Sequence, residues 1–330
     1  MTAPLVAVVI PYFQRQEGVL RRALASVAAQ QGCPGPVEVL VVDDDSPAPA
    51  SPEVDAVTWP NQMRVKVIPR VNAGPGAARN TGLNSATEGT RFIAFLDSDD
   101  EWSNDHLARA VAALERGYDF FFADLMQLGA AVSAFRRAGR ITPADHAALQ
   151  GMSEVYAYQG DFFDQTLTGN VVGTPTVVIA RERLGSVRFR TEFTTAGEDY
   201  LFWMEAARLG ARVVFSAQTE AVYGRGVNVF AGSGWGTEGH LKRVQDEIAF
   251  KKYILRSFRL TVPQIESTER SLDGLRLGFA REVLRRLRQN LGFPKGLISK
   301  HLKMDPRSFL ELPRHAIAIA LNRGREGEHG

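Results

Sequence analysis

Five apolar residues in a row, Phe92-Ile93-Ala94-Phe95-Leu96, run directly into Asp97-Ser98-Asp99-Asp100. An unbroken apolar run of this length predicts a strand buried on both faces, as in a parallel sheet. The carboxylates cannot follow it into that interior, because each unpaired buried ion costs several kcal/mol. They belong where the strand leaves the sheet, and in open α/β sheets that edge is where ligands bind. Two carboxylates one residue apart can hold a hard divalent cation and leave coordination positions for phosphate oxygens. The competing reading is a solvated acidic turn that caps a helix starting near Asn104.

The preceding chain repeats the pattern. Residues 5–10 are a β-branched run that stops at Pro11, and residues 17–30 place Val19, Leu20, Leu24 and Val27 at helical spacing. Residues 37–42 form a second apolar strand that ends in Asp43, Asp44 and Asp45, and the proline-rich stretch 46–60 reads as a loop. A third strand over 64–68 leads through Gly74 and Gly76 into a helix over 77–86. Strands alternating with helices predict a doubly wound α/β domain. Its parallel strands end on one side, so both acidic clusters share an edge. No Gly-x-Gly-x-x-Gly follows the first strand, where Pro11-Tyr12-Phe13-Gln14 stands, and there is no P-loop. A nucleotide whose phosphates are neutralised by a metal fits better than one cradled by glycines.

Further along, a helix is expected from Asp105 to about Glu115, a strand over 119–125, an irregular or helical excursion over 127–160 and a strand over 176–180. Thr195 can cap a helix whose first turn holds Glu198 and Asp199 and whose buried stripe is Leu201, Phe202, Met204, Ala206 and Leu209. An acidic first turn also serves the helix macrodipole, so these two residues have a purely structural reading as well. Strands over 213–215 and 219–223 precede a glycine-rich loop, 224–239, which can either order over a substrate or serve as flexible linkage.

The single cysteine, Cys33, excludes an intramolecular disulfide and a cysteine-based zinc site. With no signal-peptide pattern and no apolar run long enough for a membrane span, a cytoplasmic protein is expected. Residues 241–330 hold 19 Lys+Arg against 10 Asp+Glu, which leaves 20 against 27 in residues 1–240. The chain thus divides into a mildly acidic domain, 1–240, and a basic extension, 241–330. Within the extension, residues 272–291 place Leu275, Phe279, Val283, Leu284 and Leu287 along one side. Arg276, Arg281, Arg285, Arg286 and Arg288 lie mostly elsewhere. Such a helix either packs on its own domain or lies on an anionic membrane surface, with Phe293, Leu297, Ile298, Phe309 and Leu310 as added apolar contacts. Nucleic acid is not expected, since no aromatic-basic interleaving or known module is present.

Five motifs carry a resemblance to a known family: Val8-Val9-Ile10-Pro11, Val41-Val42-Asp43-Asp44-Asp45-Ser46, Asn72-Ala73-Gly74 with Ala78-Arg79-Asn80-Thr81-Gly82, Phe95-Leu96-Asp97-Ser98-Asp99-Asp100, and Gly197-Glu198-Asp199-Tyr200-Leu201-Phe202-Trp203. In order and spacing the chain resembles the family 2 glycosyltransferases of the GT-A fold over roughly residues 5–225, with a narrower likeness to bacterial exopolysaccharide (succinoglycan-type) transferases. The resemblance implies a mostly parallel α/β sheet flanked by helices, followed by a C-terminal helical extension. It implies that Pro11 and Phe13 flank a uracil ring, that Asp44 meets the ring's edge, and that Asn72, Gly74 and Arg79 border the nucleotide. Asp97-Ser98-Asp99 becomes the DxD motif, with Asp99 and Asp97 toward Mn²⁺ or Mg²⁺ and Asp97 also near the ribose or sugar. Asp199 becomes the general base, supported by Glu198 and Trp203.

Three departures stand out, the first being Glu205, near which members of the family often carry a basic residue. Asp45 occupies a position that is usually Gly in the family, and the metal-binding His of some relatives is missing near Arg225, leaving His240 as a remote candidate. The implied activity is inverting, metal-dependent transfer of a hexose, glucose first, from a UDP-sugar to a lipid-linked glycan in cell-surface or exopolysaccharide biosynthesis. The implied location is cytoplasmic, peripheral on the inner face of the plasma membrane. A non-catalytic nucleotide-sugar or polysaccharide-binding subunit is the alternative, and a homo-oligomer is left open.

Overall fold

A computed structural model describes residues 3–193, 197–224, 237 and 239–317. The chain divides into two units, Met1–Thr194 with Glu198–Asn228, and Thr195–Gly197 with Val229–Gly330.

The first unit begins with β1 (Val6–Tyr12), α1 (Leu20–Ala28), β2 (Val37–Asp43), α2 (Ser51–Asp55), β3 (Met63–Pro69), α3 (Pro75–Ser85) and β4 (Phe92–Phe95). It continues with β5 (Glu101–Trp102), α4 (His106–Leu114), β6 (Phe120–Gln127), α5 (Ala134–Ala138), β7 (Ala147–Ala148) and β8 (Val155–Ala157). The last elements are α6 (Phe162–Gly169), β9 (Val178–Ala180), α7 (Arg181–Leu184), α8 (Glu198–Arg208) and β10 (Val213–Tyr223).

One sheet runs in the order β3-β2-β1-β4-β9-β6-β10-β8-β7, with β5 paired to β10. The pairs β1–β2, β2–β3, β1–β4 and β6–β10 are parallel, whereas β9 is antiparallel to both of its neighbours. The strands on either side of β9 therefore still point the same way. Strand β1 explains why the apolar runs have no alternation. Val6, Val8, Ile10 and Tyr12 face a core with residues of α1 and α4, while Ala7 and Val9 face a second core with residues of α3 and α8. Helix α3 lies so close to β1 that a Cβ at Gly82 would sit 2.3 Å from Val9 Cγ1, so only glycine fits there.

Pro11 stands inside a central strand, a place that proline normally avoids. The Val9 carbonyl accepts from Leu96 N and the Tyr12 carbonyl from Asp44 N, so odd-numbered positions of β1 face β4 and even-numbered ones face β2. Pairing with β4 ends at Val9 and Phe95. Proline's missing N–H thus falls on the side where no strand continues.

Several expectations are corrected. The 46–60 stretch contains α2, and 127–160 contains, besides the short helix α5, the strands β7 and β8. The expected strands over 213–215 and 219–223 are one strand, β10, whose irregularities near Ser216 and Thr219 hide its period. Leu209 is exposed, and Trp203 takes its place in the buried face of α8. The Thr195 cap and nearly all of the 224–239 loop lie outside the described residues.

The second unit contains α9 (His240–Ser257), α10 (Val262–Arg288), α11 (Leu297–Met304) and α12 (Arg307–Leu310). Leu241, Val244, Ile248, Leu272, Phe279, Val283 and Leu297 form its core, and the His301 ring stacks on Phe279 at 3.8 Å. Helix α10 starts ten positions before the expected Leu272, at a capping box between Thr261 and Gln264 with Pro263 in the first turn. Arg276 and Arg286 are buried, not arrayed on an outer basic face. Arg276 pairs with Asp305 and Asp273, and Arg286 pairs with Glu282. Phe293, Leu297, Ile298 and Phe309 pack on the unit's own core, so of the five proposed apolar contacts Leu310 alone is exposed. No described helix is long and apolar enough to cross a membrane.

Candidate active site

Because β1, β2 and β4 are parallel, their chain exits gather at one edge. The β2 exit is built by its own carboxylates. Asp43 accepts from the N–H groups of Ser46 and Ala50, while Asp44 accepts from those of Ala73 and Gly74 and pairs with Arg70 at 3.0 Å. Asn72 returns a bond to the Asp44 carbonyl at 2.8 Å. Both Asp44 oxygens are engaged by the chain itself, so a base edge would share a carboxylate that already organises the 72–74 turn. Asp45 has φ 63°, a left-handed conformation that Asp tolerates better than most residues. That conformation accounts for an Asp at a position where glycine is usual.

A hydrogen-bonded chain joins this exit to the next two. Gln14 N donates to Ser46 Oγ at 3.3 Å, and Gln14 Nε2 donates to Ser98 Oγ at 3.1 Å. Pro11 is buried at the end of β1 and Phe13 is half-buried just beyond it.

The β4 exit meets α8 through one side chain. Arg79 is buried on α3 and donates to Asp97 Oδ1 at 2.7 Å and to Glu198 Oε1 at 3.1 Å, with its guanidinium over the Phe189 ring. Burial opposes the charge of Arg79, but Asp97 and Glu198 outweigh it and raise its pKa. Asp199, beside Glu198, accepts from Tyr200 N at 2.8 Å and from Thr174 Oγ1 at 3.4 Å. Burial, then the charge of Glu198, raises its pKa to about 7, against the pull of Arg79. The sequence therefore identifies four residues that the structure brings together: Asp97, Arg79, Glu198 and Asp199.

Trp203 is different. Its indole is fully buried and packs edge-on against Phe120, Phe189 and Phe202. It offers no face to an acceptor, and its support for Asp199 is the packing of α8.

Asp100 accepts from Gly224 N at 2.8 Å. Burial, then the charges of Asp97 and Asp99, pushes its pKa up to about 9. Carboxylates crowded this way gain from a dication, and their hard oxygens suit Mg²⁺ or Mn²⁺. Among the described residues no group of three or more His, Cys, Asp or Glu side chains is set to hold a metal. Asp99 and Asp97 fit a cation that shares its shell with phosphate oxygens, with Asp97 giving one oxygen to Arg79. Arg225 lies outside the described residues, and His240 begins α9 in the second unit.

Sequence reasoning missed Thr174, Gln14, Tyr223 and Gly224 as parts of this site. Tyr223 ends β10, and burial and the charges of Asp100, Asp97 and Asp199 raise its pKa. Only Gly224, at the head of a glycine-rich run, carries a visible signal.

A mixed sheet with β9 reversed inside it, and acidic exits gathered along one edge, has the architecture of a GT-A glycosyltransferase. The chain belongs to glycosyl transferase family 2, whose model matches residues 7–180. It is 34% identical over 235 residues to the succinoglycan biosynthesis protein ExoW of Rhizobium meliloti, covering 68% of this chain and 70% of that one. Among solved structures it resembles S. aureus TarS 1–349 in complex with UDP-GlcNAc (TM-score 0.53, 20% identity, 85% of this chain and 72% of that one). It also resembles the mannosyltransferase PcManGT of Pyrobaculum calidifontis in complex with GDP-Man and Mn²⁺ (TM-score 0.51, 16% identity, 97% of this chain and 87% of that one). The chain spans 43% of the longer TarS chain.

Proposed function

We propose that this family 2 glycosyltransferase is an inverting, metal-dependent enzyme that moves a hexose from a UDP-sugar to a lipid-linked glycan during extracellular polysaccharide synthesis. The observation that carries the reading is the Arg79 bridge. One guanidinium joins the end of β4, suited to a sugar diphosphate, to the start of α8, suited to act on an acceptor.

Asp199 takes the proton of the acceptor hydroxyl as its oxygen attacks the anomeric carbon from the face opposite UDP. The bond to the diphosphate breaks with its electron pair leaving on UDP. A pKa near 7 lets the carboxylate accept a proton at neutral pH more readily than an ordinary Asp would. Thr174 and Tyr200 N orient it, and Arg79 keeps Glu198 from competing as a second base. A divalent cation on Asp99 and Asp97, when bound, offsets charge on the departing diphosphate. The reading of polymer synthesis draws on the similarity to ExoW, and glucose is the first donor to try.

An anionic membrane surface is the proposed partner of the second unit. Of eleven exposed large apolar side chains among the described residues, seven lie between Val262 and Ile317, and exposed Arg281, Arg288, Lys295, Lys300 and Lys303 are interspersed with them. That mixture suits the interface of an inner leaflet better than bulk water.

The test is a panel of UDP-sugars scored for Mn²⁺-dependent UDP release, with Asp199→Asn as control. One preferred UDP-sugar, with transfer lost in the variant and UDP affinity kept, is the expected result. Equal turnover by Asp199→Asn would remove Asp199 as the base, and UDP binding without turnover by the wild type on any UDP-sugar would favour a binding subunit.

A further inference from the structure

A second site lies wholly in the C-terminal unit. Lys252, Leu255, Arg256, Glu269, Leu272, Arg276 and Arg307, from α9, α10 and α12, line a pocket of about 180 Å³. Ordinary small-molecule pockets begin at about 300 Å³, so this one suits a compact group and not a nucleotide. Its lining brings four cations to one place against a single carboxylate, Glu269.

Such cations would repel each other without an organising counter-ion, and Asp305 is that counter-ion. Its buried carboxylate accepts from Arg276 Nε and Nη2 at 2.9 and 3.0 Å, from Lys252 Nζ at 2.9 Å and from Ser308 Oγ at 2.6 Å. Lys252 Nζ also donates to the Met304 carbonyl and Arg276 Nη1 to Asp273, while Arg307 Nε donates to Glu311. These bonds hold the cations in fixed directions without exhausting them. Arg276 keeps N–H groups on Nη1 and Nη2, Arg307 keeps its Nη groups for hydrogen bonding although Nη2 lies 3.9 Å from Asp273 Oδ1, and Lys252 keeps one ammonium hydrogen. Arg256 is exposed and has no hydrogen-bond or ion-pair partner among the described residues. Forked guanidinium donors beside an ammonium match the oxygens of a tetrahedral phosphate.

We propose that this pocket seats a phosphate or diphosphate group, with Arg256 and Arg307 at its mouth and Arg276 and Lys252 at its base. The group comes either from a lipid headgroup or from a soluble phosphate ester, and both present the same oxygens. Nothing here depends on which sugar the first unit transfers.

The full chain is titrated with inorganic pyrophosphate by calorimetry in EDTA, which keeps divalent cations from supporting binding elsewhere. Saturable, salt-sensitive binding is expected. Arg256→Ala should weaken it about tenfold, the weight of one charge-assisted hydrogen bond. Arg256 has no described partner to lose, so this variant keeps the fold, and its metal-dependent UDP release should equal that of the wild type. Arg307→Ala is the second variant.

Flotation on phosphatidylglycerol and on phosphatidylcholine vesicles separates the two sources. Loss of flotation on phosphatidylglycerol alone in Arg256→Ala identifies a lipid headgroup. Weakened pyrophosphate binding with unchanged flotation identifies a soluble ester. No saturable binding by the wild type, or equal binding by the wild type and both variants, overturns the proposal. Asp199→Asn should lose transfer and keep pyrophosphate binding, so failure of the catalytic reading is seen separately.

Discussion

Gly224 N donates to the Asp100 carboxylate at 2.8 Å, and a Cβ on Gly224 would lie 1.6 Å from the main-chain oxygen of Asp99. The end of β10 is thus pressed against the acidic exit of β4 with no room for a side chain. In Gly224→Ala the backbone must shift at Asp99, the residue proposed to hold the cation. A displacement of about 1 Å near reacting groups can cost about a hundredfold, so metal-dependent UDP release should fall by at least about tenfold. Thermal unfolding should change little, because the strain is confined to one strand end. Activity equal to wild type would show that the Asp99 position does not matter.

Arg79 is the only described residue that pairs with both Asp97 and Glu198. Arg79→Ala leaves two partly buried carboxylates without their cation and should destabilise the first unit by about 3 kcal/mol, read from urea unfolding. Arg79→Lys keeps the charge, but a single ammonium cannot reproduce the fork. It should fold and lose kcat by about tenfold or more. A lysine variant with wild-type kcat would remove the bridge from the mechanism.

The acidity of the site sets a pH profile. A base acts when deprotonated, so kcat/KM should rise with pH and level off above about 7, the value to which burial and Glu198 bring Asp199. Glu198→Gln removes the like charge and keeps an oxygen for Arg79. Its limb should move to lower pH. A limb that stays in place would mean that another group is titrating.

The second unit has its own acid response. His301 is fully buried against Phe279, and burial lowers its pKa to about 4 from an ordinary 6.5. Between those values the unfolded chain binds the extra proton, so stability falls as pH drops through the window, by about 3 kcal/mol in all. Asp305 then contributes below it. Despite burial, Arg276, Ser308 and Lys252 hold its pKa under the usual carboxylate range, and the stability it adds is lost as pH falls below about 4. Amide exchange of α10 and α11 at pH 7, 5.5 and 4.5 would follow this, and His301→Phe should flatten the first step. An unchanged pH dependence in that variant would discard the assignment.

Much of this was legible because the strands are short, apolar and punctuated. The carboxylates at the ends of β2 and β4 cannot enter the sheet, so strand, exit and site are read together. The meeting of Arg79 with Glu198 could not be read, since it spans 119 positions and depends on how α3 and α8 pack. Thr174 was invisible for a similar reason. It sits in a turn before the three-residue β9, which is too short to show a period or reveal that it runs against its neighbours. In the second unit Arg276 looked like surface charge because its partner Asp305 comes 29 residues later. Arg286 and Glu282 are one helical turn apart, and that pair was within reach of the sequence.

Strand β9 acts as a gauge block. It spaces β4 from β6, and the turn leading into it brings Thr174 to Asp199. A slip of one residue in its pairing would displace that turn by about 3.3 Å and exchange its two faces. The approach of Thr174 to Asp199 therefore depends on the register of three residues that take no part in that contact themselves.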